Sequence, residues 1–432
     1  DFTGFFPPGC TALGWKDLLS GHKYRVEKNS LNDRALIVEL EPYASRVFSE
    51  FAEAASEQAV QLRRYPQLGE YLAGVAVPVA ALRSERSCGI GEFSDLKLLV
   101  DWCCESGQKI INLLPVNDTG YNSSPYSALS AMALHPVYLC LDELLLTPAL
   151  RQEVNDMRRQ SAENVRVHFY EIVRFKEHIL RTLYDADPEA ARLLVPAEFA
   201  SQQWLLDYAL FRVLKELFGG SAWFDWQAAS TPPEIAALVA APTPAARAEF
   251  RSRHQHLVDY YIWVQYLLDQ QLRQVRDYAN GRGVFIKGDM PIMLERDSVD
   301  VWLNPDLFNH HLRAGAPPDM FSPDGQNWGF PVYNWPAHER ENFSWWRARI
   351  AQLDRYFAAY RIDHVLGFFR IWSIAQGNRS GLDGFFLPSH AVTAEQLNTL
   401  AAGEQNVACL TRVPVYPDEM GALPNDTQTV LS

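Results

Sequence analysis

Apolar positions along the chain fall into two patterns. Short continuous apolar runs closed by turn or acidic residues mark strands buried on both faces. Four such runs occur: Gly74-Val-Ala-Val-Pro-Val-Ala-Ala-Leu, Lys109-Ile-Ile-Asn-Leu-Leu-Pro-Val, Val284-Phe-Ile-Lys-Gly-Asp-Met-Pro-Ile, and residues 356–362. Elsewhere apolar residues recur at i, i+3 and i+4, which predicts helices over 93–106, 164–184, 198–218, 246–278 and 347–355. The first two runs flank helix 93–106, which ends at Gly107, and the second run closes on Asn117-Asp118. Strand, helix and strand with polar residues at the second strand's end form a βα unit with its functional loop. Residues 144–279 are too many for an ordinary crossover and read as an inserted helical subdomain. Residues 297–336, rich in Pro, Gly, Asn, Asp and aromatics, read as a long functional loop. Gly89-Ile-Gly91 lacks the third glycine of a phosphate loop and reads as a turn.

Residues 1–51 carry short strand patterns at 23–26, 35–40 and 42–48, separated by Pro, Gly and Asn-Asp turns. They predict the tail of a β-sandwich-like accessory domain, and the charged stretch 52–73 predicts a linker. The chain opens on Asp1 with neither an initiator Met nor a basic leader, so its start reads as internal to a longer chain.

Composition narrows the function classes. A net charge of −13 argues against a nucleic-acid or anionic-membrane partner, since phosphate binding needs clustered Lys and Arg. No apolar run is long enough to span a bilayer. The six cysteines show no Cys-x-x-Cys spacing and no clustering with His, so no metal site or cofactor is expected. Scattered thiols of this kind fit a cytoplasmic compartment. The twelve tryptophans offer faces for sugar rings, although aromatic enrichment more often serves a core. Phe368, Phe369 and Trp372 are expected to pack in the core, as are Trp204, Trp223, Trp226 and Trp263.

The densest candidate chemistry is Tyr360-Arg-Ile-Asp-His-Val-Leu-Gly-Phe-Phe-Arg-Ile-Trp. Strand alternation points Arg361 and Asp363 to one side. An arginine within reach of a carboxylate keeps it ionised, as a glycosidic nucleophile must be. Taken alone, Arg-x-Asp-His is more often a structural ion pair with a capping His, and the rest of the chain has to overturn that reading.

Further motifs carry a resemblance. Leu114-Pro-Val-Asn-Asp, Ser124-Pro-Tyr-Ser-Ala-Leu-Ser-Ala-Met-Ala-Leu-His-Pro, Gly288-Asp-Met-Pro-Ile, Asp297-Ser-Val-Asp-Val-Trp, Ala316-Pro-Pro-Asp-Met-Phe-Ser-Pro-Asp-Gly-Gln-Asn-Trp and the Arg361 segment occur in order. Together they resemble the 4-α-glucanotransferases (amylomaltases, glycoside hydrolase family 77), in the branch fused to starch-binding modules. The resemblance implies an α/β fold, a (β/α)8 TIM barrel of which about four strands are present. Residues 74–143 would hold strands 1 and 2, 280–375 strands 3 and 4, and 297–336 an acceptor-side loop, with 376–432 left unassigned.

It also implies retaining transfer between α-1,4-glucans such as maltooligosaccharides, glycogen or starch. Asp363 would be the nucleophile, Arg361 its partner, and His364 a contact to the donor sugar. Ser124, Tyr126 and Asp289 would bind donor sugar, and Phe321, Gln326 and Trp328 would cover the acceptor side. The family's general acid sits in an Ala-Glu-Asp-Leu-Gly motif that this sequence lacks. The chain is therefore expected to be a fragment of a longer transferase, the alternative being a glucan-binding protein without turnover.

Overall fold

The computed structural model describes residues 72–226 and 231–389, and three strands nearer the N-terminus. Those strands, β1 (Ala12–Asp17), β2 (Lys23–Glu27) and β3 (Phe48–Glu53), form an antiparallel sheet in the order β2-β1-β3. The strand expected over 35–40 and most of the 52–73 linker lie outside the described residues. Phe386–Ser432 forms a second unit, of which residues 386–389 are described.

The main sheet begins with β4 (Gly74–Val77), continues through α1 (Asp95–Glu105) and returns as β5 (Ile110–Leu113). The chain then leaves the sheet for eight helices. These are α2 (Pro148–Ser161), α3 (Phe169–Ala186), α4 (Pro188–Leu194), α5 (Ala197–Ala200), α6 (Gln203–Leu217), α7 (Pro233–Ala240), α8 (Pro244–Arg253) and α9 (Gln255–Gly281). One local signal starts three of them. Thr147, Asp187 and Thr243 each accept a backbone N–H from the first turn, and a proline follows as the first helical residue. The helix expected over 246–278 is two helices, because the chain turns at His254. Trp226 and Trp263 are buried, whereas Trp204 and Trp223 are half-buried.

The chain re-enters the sheet as β6 (Phe285–Pro291) and, after further excursions, as β9. Between them come α10 (Val299–Leu303), β7 (Phe308–Ala316), β8 (Gln326–Tyr333), α11 (Trp335–Arg340) and α12 (Ser344–Asp354). β9 spans Ala359–Asp363 and is followed by β10 (Ile371–Ala375). The parallel sheet runs β4-β5-β6-β9, with Ile111, Leu113, Ile286 and Met290 buried in it. β9 is an edge of the described sheet, and Arg361 and Ile362 are exposed rather than buried as the apolar run before them suggested. Tyr356 and Phe357, just ahead of the strand, supply the burial instead.

The segment expected as a loop over 297–336 is largely an antiparallel hairpin of β7 and β8, with β10 paired to β7. Its register shifts twice, around Arg313, where Pro331 sits opposite. Bulges and an internal proline erase the period-two alternation that identifies a strand in sequence. The turn at 317–325 is its longest remaining stretch of loop. Phe368 packs on Trp335 and Trp346, and the half-buried Trp372 donates to the Gly381 carbonyl, but Phe369 is 70% exposed, contrary to expectation. It lies in a short turn beyond the strand, with no layer of the described structure above it.

Candidate active site

The parallel register of β6 and β9 sets Asp289 beside Arg361 and Pro291 beside Asp363. Both carboxylates thus stand at C-terminal strand ends, where α/β barrels place their chemistry. Arg361 grips Asp289 at two points, Nε to Oδ1 at 3.1 Å and Nη2 to Oδ2 at 2.6 Å. The same Nη2 lies 3.4 Å from Asp363 Oδ1 and 3.4 Å from the Tyr126 hydroxyl. The nearer partner of Arg361 is therefore Asp289, and Asp363 shares its flank. The Asp289 side chain is fully buried, while those of Arg361 and Asp363 are 43% and 42% exposed. One guanidinium joins a buried anchor to an accessible carboxylate.

Close approach fixes Asp289 from behind. A Cβ on Gly288 would stand 2.4 Å from the Phe357 ring, so only glycine fits between strand and ring. Burial pushes the Asp289 carboxyl up, the Arg361 fork pulls it back, and the Asp363 charge adds to the rise. The hydrogen bond to Asp289 raises Arg361 further. Burial also raises the Tyr126 phenol, with the Asp289 charge acting in the same sense.

His364 follows Asp363 in the left-handed region, at φ 52° and ψ 48°. A non-glycine residue there carries strain of about 1–2 kcal/mol. The turn is closed by Gly367, whose N–H donates to the His364 carbonyl at 2.8 Å. A Cβ on Gly367 would lie 2.9 Å from His364 Cδ2, so the missing side chain makes room for the ring. Burial lowers the His364 pKa and keeps the ring neutral at pH 7. Trp328 from β8 meets it edge to face at 5.0 Å. Gln326 Oε1 accepts from the Trp328 indole at 3.0 Å. Gln326, Trp328 and His364 are thus brought together, although they come from distant parts of the chain.

Two candidates stand apart. Phe321 is 85% exposed at the hairpin turn, where Asp319 Oδ1 accepts the N–H groups of Phe321 and Ser322 at 2.9 and 2.8 Å. Ser124 shapes the turn ahead of Tyr126 by accepting the Ser127 N–H at 3.2 Å, and its hydroxyl has no hydrogen-bond partner among the described residues.

The loop bearing Tyr126 has supports that sequence reading missed. Asp118, at the exit from β5, is fully buried and accepts from Tyr208 Oη at 2.6 Å, from Arg212 Nη1 and from Gly120 N–H at 2.9 Å. Burial pushes its carboxyl up, but Arg212, His135 and these donors outweigh that and hold it below its usual range. His135 takes the Val137 N–H on Nδ1, so its Nε2 carries the proton and donates to the Gly120 carbonyl at 3.0 Å. A cavity of about 870 Å³ lies alongside, lined by Tyr121, Tyr170, Tyr260, Tyr261, Arg181 and Glu295 among others. Asp118 was visible as a strand-end acid, but its partners lie some ninety residues away on α6.

Parallel strands alternating with helices, with a linked carboxylate pair at their C-terminal ends, place the protein in the α/β class that carries its chemistry at strand ends. Comparison with known proteins narrows this. The sequence model of the 4-alpha-glucanotransferase family (Glyco_hydro_77) matches residues 77–432, and the chain belongs to that family. It is 39% identical over 350 residues to 4-alpha-glucanotransferase DPE2 of rice, covering 78% of this chain and 35% of the relative. It is 34% identical over 306 residues to the 4-alpha-glucanotransferase of Chlamydia caviae, covering 69% of this chain and 56% of the relative. The chain therefore spans about a third to a half of these relatives. Amylomaltase from Streptococcus agalactiae, solved in complex with acarbose, superposes with a TM-score of 0.57 at 27% identity, over 82% of this chain and 71% of that one. Amylomaltase from Corynebacterium glutamicum shares the fold, with a TM-score of 0.59 at 22% identity over 72% of this chain and 43% of that one. Among the described residues no helix is long and apolar enough to cross a membrane.

Proposed function

We propose that this protein transfers α-1,4-glucan segments between maltooligosaccharides, glycogen or starch by a retaining double displacement. The observation that carries the reading is the shared arginine. Arg361 ties a buried Asp289 to an accessible Asp363 at adjacent strand ends. Asp363 attacks the anomeric carbon of the donor, and the bond to the leaving glucan breaks as a glycosyl–carboxylate ester forms. An acceptor 4-hydroxyl then attacks the same carbon and frees the carboxylate, losing its proton to the acid–base group that protonated the leaving oxygen, so two inversions give net retention.

Asp289 is read as the anchor and donor-sugar contact rather than the proton donor, because both its oxygens accept from Arg361. The leaving oxygen still needs a second carboxylic acid, about 5–5.5 Å from the nucleophile, and none of the described residues is assigned that role. Neutral His364 offers a donor or an acceptor to a sugar hydroxyl. Trp328, packed on it, offers a stacking face to the acceptor chain and helps keep water from the intermediate, and exposed Phe321 offers a further stacking face at the hairpin turn. The four described cysteines are free thiols, which fits work in a reducing, cytoplasmic compartment.

The experiment is incubation of the protein with maltotriose and chromatography of the products. Glucose together with longer oligosaccharides, lost in Asp363→Asn, supports the reading. Glucose and maltose without longer chains would make the protein a hydrolase. Glucan binding without turnover, or turnover that survives Asp363→Asn, would overturn the proposal.

A further inference from the structure

Residues Asp118 and Leu129 close a compact loop, since the Leu129 N–H donates to the Asp118 carbonyl at 2.7 Å. The loop has two working ends. Tyr126 reaches Arg361, and Tyr121 turns the other way, donating to Glu177 Oε2 at 2.6 Å and packing on Tyr170 at 5.2 Å. Arg212 on α6 joins these supports: its Nη1 holds Asp118 at the loop's neck, and its Nη2 lies 3.3 Å from Glu177 Oε1 on α3. Tyr208, one helical turn earlier on α6, shares Asp118. Gln265 on α9 adds a third anchor, exchanging two hydrogen bonds with the Leu134 backbone at 2.9 and 2.7 Å.

We propose that Arg212 and Glu177, on the inserted helices, are positioning residues that hold the loop carrying Tyr126 against the Arg361–Asp289 pair. The inference rests on the glucan-transfer reading of that pair. The geometry favours positioning over mere packing. A fork that only stabilised the helices would find its carboxylates on helices, yet Arg212 places one contact on the loop's neck and the other on the residue that holds its tip. Neither Arg212 nor Glu177 touches Asp289, Arg361 or Asp363 among the described contacts. Their effect on chemistry must pass through Tyr126.

Glu177→Gln and Tyr121→Phe are suitable probes because both side chains are partly exposed, so their replacement is expected to leave the helices folded. Native-state hydrogen exchange on the full chain is expected to quicken at least fivefold over residues 119–127, with α3 and α6 unchanged. Maltotriose disproportionation is expected to fall five- to tenfold in kcat for Glu177→Gln, with KM nearly constant. In a chain already carrying Tyr126→Phe, adding Glu177→Gln should cost less than twofold. Arg253→Gln, which breaks a surface pair with Glu249 on α8, should change none of these.

Unchanged exchange over 119–127 overturns the inference. Additive losses in the Tyr126 cycle overturn it too, because a structural defect would add to the loss of Tyr126. Transfer that survives Asp363→Asn is a different failure: it removes the proposed function, while the exchange result still decides whether the clamp holds the loop.

Discussion

Arg361 on β9 and Asp289 on β6 meet through two hydrogen bonds, at 3.1 and 2.6 Å, although 72 positions separate them in sequence. A planar guanidinium matches a carboxylate in this way, and an ammonium cannot. Arg361→Lys keeps the charge but loses the fork. Transfer is expected to drop roughly 10- to 100-fold, or about 1.4–2.7 kcal/mol of transition-state stabilisation. Steady-state kinetics on maltotriose check this, and wild-type rates in the lysine variant would show that the fork is incidental.

Asp363 and Asp289 should fail differently when neutralised. Asp363 is accessible and its only described ion pair is a 3.4 Å contact, so Asp363→Asn should leave the melting temperature within a few degrees while removing transfer about a thousandfold or more. Asp289→Asn leaves Arg361 without its buried anchor and should cost stability as well as rate, by about 1–3 kcal/mol after allowing for the exposure of Arg361. Urea unfolding of the two variants side by side separates the roles, and equal loss of stability would contradict them.

Gly367 tests the placement of His364. A methyl group there would stand 2.9 Å from the imidazole and push it off Trp328. Gly367→Ala is therefore expected to lower kcat about tenfold. The Trp328 share of the emission, read as the difference from a Trp328→Phe variant, should change in parallel. A variant that keeps both wild-type activity and wild-type fluorescence would mean that the ring can move without consequence.

Stability should depend on pH through His135. Burial lowers its folded pKa from 6.5 to about 4, so between these values the unfolded chain binds a proton that the native one refuses. The stabilisation is complete above pH 6.5 and is lost as pH falls toward 4, amounting to roughly 3 kcal/mol. His135→Gln should flatten the wild-type slope between pH 4.5 and 6.5 in denaturant titrations. An unchanged slope would place the titration elsewhere.

The strands that carry Asp289 and Asp363 were legible because each is an apolar run closed by an acid. The helical insertion was legible from its 3.6-residue period. What the sequence could not supply was register. Alternation put Arg361 and Asp363 on one side, but only the pairing of β6 with β9 sets Asp289 closer to that guanidinium. The β7–β8 hairpin escaped because its bulges and Pro331 break the alternation that marks a strand. Arg212 escaped for a related reason: within α6 it is one more helical cation, and its two carboxylates belong to other segments. Phe369 was assigned to the core on hydrophobicity alone, which does not say whether a layer lies above it.

The insertion between β5 and β6 also bears on how the molecule assembles. Ile110 pairs with Phe285 across more than 170 residues, so these neighbouring strands of one sheet lie far apart in sequence. Contacts among α3, α6 and α9 are far more local and cost less chain entropy to form. The helices are therefore expected to condense first and bring the end of α9 back beside β5, converting a long closure into a short one. Pulse-labelled refolding should protect α6 and α9 amides before those of β5 and β6. On that order of events the insertion serves its own chain as a folding template, and damage to its helices is expected to reach the active site by delaying the sheet on which that site is built.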